Sequence, residues 1–258
     1  MQPNNLGFDS IAELYDQSFT HSRTGSLMRM AVRRRLDARF RSGHRILELN
    51  CGTGEDAIYM AKRGMEVLAT DLSAEMVRLT SAKIAGQGLS AHIRVNQLAW
   101  QELNLLDTSE FDGALSNFGG LNCVQDLPPA ARALADCLRP GAVALLCVMG
   151  PLCPWEWIWF TVHRQPSKAF RRLKRDVKWH GLPIYYPSIR STRRAFSPMF
   201  RLLRASALGA LFPPPFAESF ALRRLALCEK LYACERALEN LPPLPSLADH
   251  YLLEFQRQ

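Results

Sequence analysis

Cysteine pairs at metal-binding spacing are missing from this chain. Its seven cysteines stand at 51, 123, 137, 147, 153, 228 and 234 and form no C-x-x-C. That excludes a zinc knuckle, and the odd number does not suit a disulfide framework, so no metal site is expected. They read as small core residues of a reducing compartment, with Cys51 set apart by its place in a glycine loop. No apolar run reaches the ~18 residues that cross a bilayer. The first residues, MQPNNLGFDSIAELYDQSF, have neither a basic leader nor an apolar core, which speaks against a secretory signal and points to the cytoplasm. There is no G-x-x-x-x-G-K-[ST], which removes a P-loop. Internal repeats and low-complexity tracts are absent as well.

What is present is ordinary in bulk and uneven in charge. At 258 residues, 48% hydrophobic and 22% charged, the chain suits one α/β domain with an insertion. Net charge is +8. Eight arginines and one acid, Asp37, lie between Arg23 and Arg45, and eleven Lys or Arg and one acid, Asp176, between Pro166 and Arg204. Such stretches serve anionic substrates, nucleic acid or an acidic membrane surface, or are simply solvated faces.

Periodicity predicts a helix over 9–19 with Asp9 or Ser10 as cap. A second helix over 26–40 would bury Leu27, Met30, Ala31, Leu36 and Phe40. Strands are expected at 45–49, 65–70, 91–95, 113–117 and 142–149, with helices at 55–63, 73–86 and 125–138 between them. Alternation of this kind argues for a mostly parallel sheet covered on both faces. After Met149 the chain becomes aromatic, basic and proline-broken, which reads as an insertion or lid. A strand at 199–208, one long amphipathic helix at 218–241 and an edge strand at 249–257 complete the chain.

Residues 46–71 carry the chemistry. A strand ending at Leu49, the turn NCGTGE and a helix from Glu55 form a βα unit in which Gly52 and Gly54 let a ligand approach the backbone. Glu55 and Asp56 stand where a pyrophosphate would sit, which weighs against NAD and FAD. A cofactor with a sugar and a positive charge fits better. Asp71, closing the second strand, suits the two ribose hydroxyls, and Glu48 suits a cationic end.

The segments LELNCGTGE and ATDLSAEMV together resemble the class I S-adenosylmethionine-dependent methyltransferases, in their small-molecule branch. Asn50 stands where that family's first motif has its first glycine. The resemblance implies that Asp71 binds the ribose and that Leu72 and Met76 sandwich the adenine. It implies that Leu98 and Ala99 meet the adenine amine, with the Ala99 backbone orienting it because the family's aspartate is missing there. It also implies that Asn117 and Phe118 border the methyl group and that Tyr15, on an N-terminal helix, closes over the cofactor. The implied fold is a Rossmann-like, seven-stranded, mostly parallel sheet with helices on both faces. Residues 1–43 form a helical lid, 44–149 the cofactor-binding core, 151–198 a substrate-side insertion and 199–258 C-terminal strands and helix.

The segment after the fourth strand narrows the acceptor. Asn117-Phe118-Gly119-Gly120 lacks the N/D-P-P-Y/F of the family's exocyclic-amine enzymes. The expected substrate is a lipophilic or aromatic small molecule methylated on oxygen, nitrogen or carbon. The alternatives are an RNA or protein methyltransferase using the basic stretches, or a non-catalytic cofactor binder. Peripheral membrane contact is a further reading of the Trp-rich, arginine-flanked stretch after Pro154. Candidate bases are His163, which WEWIWFTVH would shield from water, then His21, then Glu156.

Overall fold

A computed structural model describes residues 6–9, 11–106, 110–174 and 177–258. Before the sheet come α1 (Leu6–Asp9), α2 (Ala12–Tyr15), a π-helical turn (Asp16–Thr20) and α3 (Arg23–Arg39). The core comprises β1 (Arg45–Leu49), α4 (Glu55–Ala61), β2 (Glu66–Asp71), α5 (Ala74–Gly86), β3 (Ile93–Gln97), β4 (Phe111–Ser116), α6 (Leu127–Cys137) and β5 (Leu138–Met149). Between β3 and β4 the described residues form only a 3-10 stretch, Trp100–Leu105. The insertion holds α7 (Pro154–Val162), α8 (Pro166–Ala169), a hairpin of β6 (Val177–Trp179) and β7 (Leu182–Ile184), and α9 (Ile189–Phe196). The chain closes with β8 (Phe200–Leu208), α10 (Glu218–Arg223), α11 (Leu225–Leu238) and β9 (His250–Arg257).

The seven-stranded sheet runs β3-β2-β1-β4-β5-β9-β8, parallel through β5 and antiparallel at β9 and β8. Its central strands are buried on both faces, as parallel strands under crossover helices must be. Ile46, Val67, Leu115 and Leu145 face α3, α4 and α11, while Leu47, Leu49, Ala114 and Leu146 face α6 and α9. The order reverses at β1 and β4, so the crevice at the carboxyl ends of β1, β2 and β4 is where a ligand of such a fold binds.

The sequence-based expectation fails in four places for physical reasons. The N-terminal helix is divided into α1, α2 and the π turn, and Ser10, one of its expected caps, lies outside the described residues. In α3 the buried face includes Met28 and Val32, whereas Met30 is 51% exposed. The C-terminal helix breaks at Arg224, whose φ of −138° and ψ of 46° are not helical. The last strand is not an edge. β9 lies between β5 and β8, and its buried Glu254 is held by Arg35 and Arg39 of α3. Alternation with a glutamate inside mimics an edge strand, because the buried acid is compensated by residues over 200 positions away.

Candidate active site

From Leu49 the chain turns through Asn50, Gly52 and Gly54 at φ of 53°, 56° and 79°. Glycine adopts this left-handed backbone without strain and asparagine tolerates it. A Cβ at Gly52 would meet nothing, so bare backbone faces the crevice, whereas one at Gly54 would sit 2.6 Å from Thr80 Cγ2. Thr80 Oγ1 donates to Gly52 O at 2.7 Å and fixes the turn to α5. Cys51 is buried under the turn. Burial, with Asp71 and Glu48 nearby, pushes its thiol well above the ordinary range, which suits packing rather than nucleophilic chemistry.

Asp71 ends β2 beside this turn. Its Oδ2 accepts the Gly52 N–H and its Oδ1 the Ser73 N–H, each at 2.9 Å. A carboxylate has about four acceptor positions, so with the Gly52, Ser73 and Leu72 N–H groups on it Asp71 keeps acceptor capacity for a further donor such as a sugar hydroxyl. Burial raises its pKa from 3.8 to about 6, against the lowering effect of the Ser73, Gly52 and Leu72 N–H groups.

Glu48, two residues before the turn, is 2% exposed, and its Oε2 has no hydrogen-bond partner. Burial and the Asp56 carboxylate push it well above its ordinary pKa, against Arg29 and Arg33. Asp56 is enclosed by donors: Arg29, Arg33 Nε at 3.0 Å and Asn117 Nδ2 at 2.8 Å. Glu55 meets Lys83, which also binds Asp16 of the π turn. Both acids at the start of α4 are therefore neutralised, and repulsion of a pyrophosphate there is weaker than bare carboxylates would give.

Asn50 and Asn117 are engaged within the protein. Asn50 Nδ2 donates to Asn117 O at 2.8 Å and Asn50 Oδ1 accepts from Ser116 at 2.6 Å. Asn117 Oδ1 accepts the Phe118 N–H at 3.0 Å. These amides brace the β1 and β4 loops against each other and set the crevice walls; neither side chain projects unoccupied toward a ligand. Ala99 corrects the expectation further. Its N–H is taken by Glu102 Oε2 and its carbonyl by the Glu102 N–H, both at 3.0 Å. Among the adenine-side candidates Met76 is buried, Leu98 packs on the core, and Leu72 is 45% exposed at the rim.

The N-terminal segment covers the crevice. Asp9 accepts from Ser73 Oγ, and Asp16 Oδ1 accepts from Thr53 Oγ1 of the glycine turn at 2.6 Å. Phe8 lies 5.1 Å from the Trp179 ring of the insertion hairpin. Tyr15 beneath it has its phenol pushed up to about 12 by burial, with Asp56, Asp71 and Asp16 adding and Arg29 opposing. Phe19 stacks edge-on against Phe118, ring centres 4.8 Å apart.

Neither expected histidine base finds the setting required of it. His163 is exposed at the end of α7, its Nδ1 2.7 Å from Trp159 O. The tryptophans of α7 flank it without shielding it from water. His21 is exposed and lines a groove of about 570 Å³ with Arg29, Arg33 and Tyr59, on the α3–α4 side; that groove includes neither Asp71 nor Gly52. Glu156 is buried but bound by Arg171 and Arg172.

Residues 46–141 match the family described as Methyltransferase domain. An uncharacterised protein of Mycobacterium tuberculosis is 31% identical over 110 residues, 41% of this chain and 38% of that protein. The demethylmenaquinone methyltransferase of Lactiplantibacillus plantarum is 29% identical over 164 residues, 59% of this chain and 67% of the enzyme. The chain thus spans well under half of the mycobacterial relatives it matches. In fold it is similar to the geranyl diphosphate C-methyltransferase of Streptomyces coelicolor, crystallised with S-adenosyl-L-homocysteine. There the TM-score is 0.58 at 13% identity, covering 89% of this chain and 77% of that one. Residues 46–141 thus carry a methyltransferase-domain match, and the chain has the fold of the S-adenosylmethionine-dependent methyltransferases.

The cofactor of that family fits the residues present. The bare backbone at Gly52, the acceptor capacity left on Asp71 and the partnerless Glu48 Oε2 lie close together at the ends of β1 and β2. A second group was not foreseen from sequence. His250, at the start of β9, is 7% exposed and stands edge-on to Phe118, ring centres 5.9 Å apart. Its Nδ1 lies 2.9 Å from Asp249 Oδ2, so a neutral ring donates there and leaves Nε2 as acceptor. Asp249 accepts from Arg172 in turn. Burial raises Asp249, but the Arg172 guanidinium and the hydrogen bonds from Arg172 and His250 outweigh it and hold the acid well below the carboxylate range. The available signal was the Asp249-His250 pair in a strand that reads as peripheral; only the antiparallel seating of β9 beside β5 brings it to the Phe118 loop.

Proposed function

We propose that this methyltransferase moves a methyl group from S-adenosylmethionine to a small lipophilic or aromatic acceptor. When bound, that cofactor supplies an electrophilic methyl carbon on a sulfonium. The chain's part is orientation: Asp71 accepts the ribose hydroxyls, Gly52 admits the ligand close to the backbone, and Met76 and Tyr15 supply apolar walls. Asp249 keeps His250 in the tautomer whose Nε2 accepts a proton, so His250 would take the acceptor's proton as the new bond forms. The apolar surround of Phe19, Phe118 and Phe8–Trp179 suits a hydrophobic acceptor, and the relative from Lactiplantibacillus, by its name, methylates a quinone. Asp71 carries the reading: a buried carboxylate anchored by backbone N–H groups at the glycine turn, with acceptor capacity left for a ribose hydroxyl.

The arginine run of α3 does not favour a polyanionic substrate. Arg23, Arg29, Arg33, Arg34, Arg35 and Arg39 all engage carboxylates of this same chain. The test is transfer of labelled methyl from S-adenosylmethionine to a panel of prenylated quinones, phenols and amines, with RNA alongside. Label entering an apolar small molecule supports the reading; label entering only RNA, or no binding of S-adenosylhomocysteine, refutes it.

A further inference from the structure

Helix α7 is turned inside out relative to an ordinary surface helix, which buries apolar residues and shows polar ones. Its inward position is a carboxylate, Glu156, fully buried and bound by Arg171 and Arg172. Trp155 packs toward Phe220 and Phe160 toward Phe216. At helical spacing the side opposite Glu156 carries Ile158 and Val162. Ile158 is 63% exposed and Val162 73%. Trp157 stacks on Phe170, ring centres 6.2 Å apart, which continues the apolar surface beyond α8.

Positive charge rims this surface. Between Pro151 and Lys174 the one acid is Glu156, consumed by Arg171 and Arg172. Exposed Arg164, Lys168 and Lys174 make no salt bridge with a described carboxylate. Aromatic and aliphatic side chains ringed by cations match the acyl–headgroup boundary of an anionic bilayer. A second copy fits less well, because two such rims would face one another across a symmetric contact. Among the described residues no helix is long and apolar enough to cross a membrane, so contact of this kind is peripheral.

We propose that the outer face of α7 and the turn after it rest on an anionic bilayer surface. Ile158, Val162 and Phe170 enter the boundary while Arg164, Lys168 and Lys174 take headgroup phosphates. This goes beyond the methyl-transfer reading and does not depend on it. The test is co-sedimentation of the full chain with phosphatidylcholine vesicles, with and without phosphatidylglycerol, at low and physiological salt. The wild type is expected to sediment with the anionic vesicles, less so as salt rises. Ile158→Asp with Val162→Asp should lower partitioning at least about tenfold, and Lys168→Glu with Lys174→Glu should remove the preference for anionic lipid. All four side chains are exposed, so the wild-type melting temperature should survive in both variants. The proposal is overturned if the wild type stays in the supernatant or the aspartates leave sedimentation unchanged. It is equally overturned if light scattering shows a dimer that the aspartates dissociate while vesicles bind neither form.

Discussion

Replacing Asp71 with alanine should change both the strength and the pH dependence of cofactor binding. In the free protein the carboxyl titrates near 6, raised from 3.8 chiefly by burial. A rise of that size means that carrying the charge costs the fold about 3 kcal/mol. The folded state therefore keeps the proton longer than the unfolded chain does. Below about pH 4 both states are protonated and nothing is lost, whereas between 4 and 6 stability falls as pH rises. The ribose hydroxyls favour the carboxylate, so S-adenosylhomocysteine should bind about tenfold more weakly at pH 5 than at pH 7. Alanine should cost about 1.5–3 kcal/mol at pH 7, roughly ten- to 150-fold in Kd, and flatten the profile. Titration calorimetry at half-unit steps from pH 5 to 8 measures both, and Glu48→Gln run in parallel removes the other raised carboxyl from the comparison. Equal affinity in wild type and Asp71→Ala, or a pH slope that persists in the alanine variant, would refute the ribose assignment.

The geometry sets three further outcomes. His250→Gln should abolish most turnover with cofactor affinity intact, whereas His163→Ala should leave turnover near wild type; steady-state kinetics with calorimetry decides, and the reverse pattern would return the base to α7. Arg172→Met leaves Asp249 buried without its arginine and Glu156 with Arg171 alone, so chemical denaturation should show a loss of about 3–5 kcal/mol. Gly54→Ala combines φ of 79° with contact on Thr80, so it should lower stability by more than about 1 kcal/mol and weaken the cofactor, as differential scanning and calorimetry will show.

The proposed cofactor half of the site could be read from sequence because its candidate residues are local. Glu48, Gly52, Gly54 and Asp71 fall on one βαβ unit, where strand ends and turn residues declare themselves within 24 positions of sequence. The proposed acceptor half could not, because it is assembled from a distance. His250 reaches Phe118 only through the β5–β9 pairing, and Glu254 is acceptable inside the sheet only because Arg35 and Arg39 reach it. Hydrophobic alternation treats such an acid as a solvent face and so moves β9 to the edge. The same blindness made the α3 arginines look like a binding surface, since sequence counts their charge without showing that acids at 56, 229, 239 and 254 compensate it. For α7 the error ran the other way. Its tryptophans suggested a shielded pocket for His163, but the position that is buried is Glu156.

A crystal structure with S-adenosylhomocysteine bound tests the central claim most directly. The account predicts ribose hydroxyls within hydrogen-bonding distance of both Asp71 oxygens and the ligand lying against the Gly52 backbone. A vacant crevice at saturating ligand, or one that takes a pyrophosphate compound instead, would contradict it.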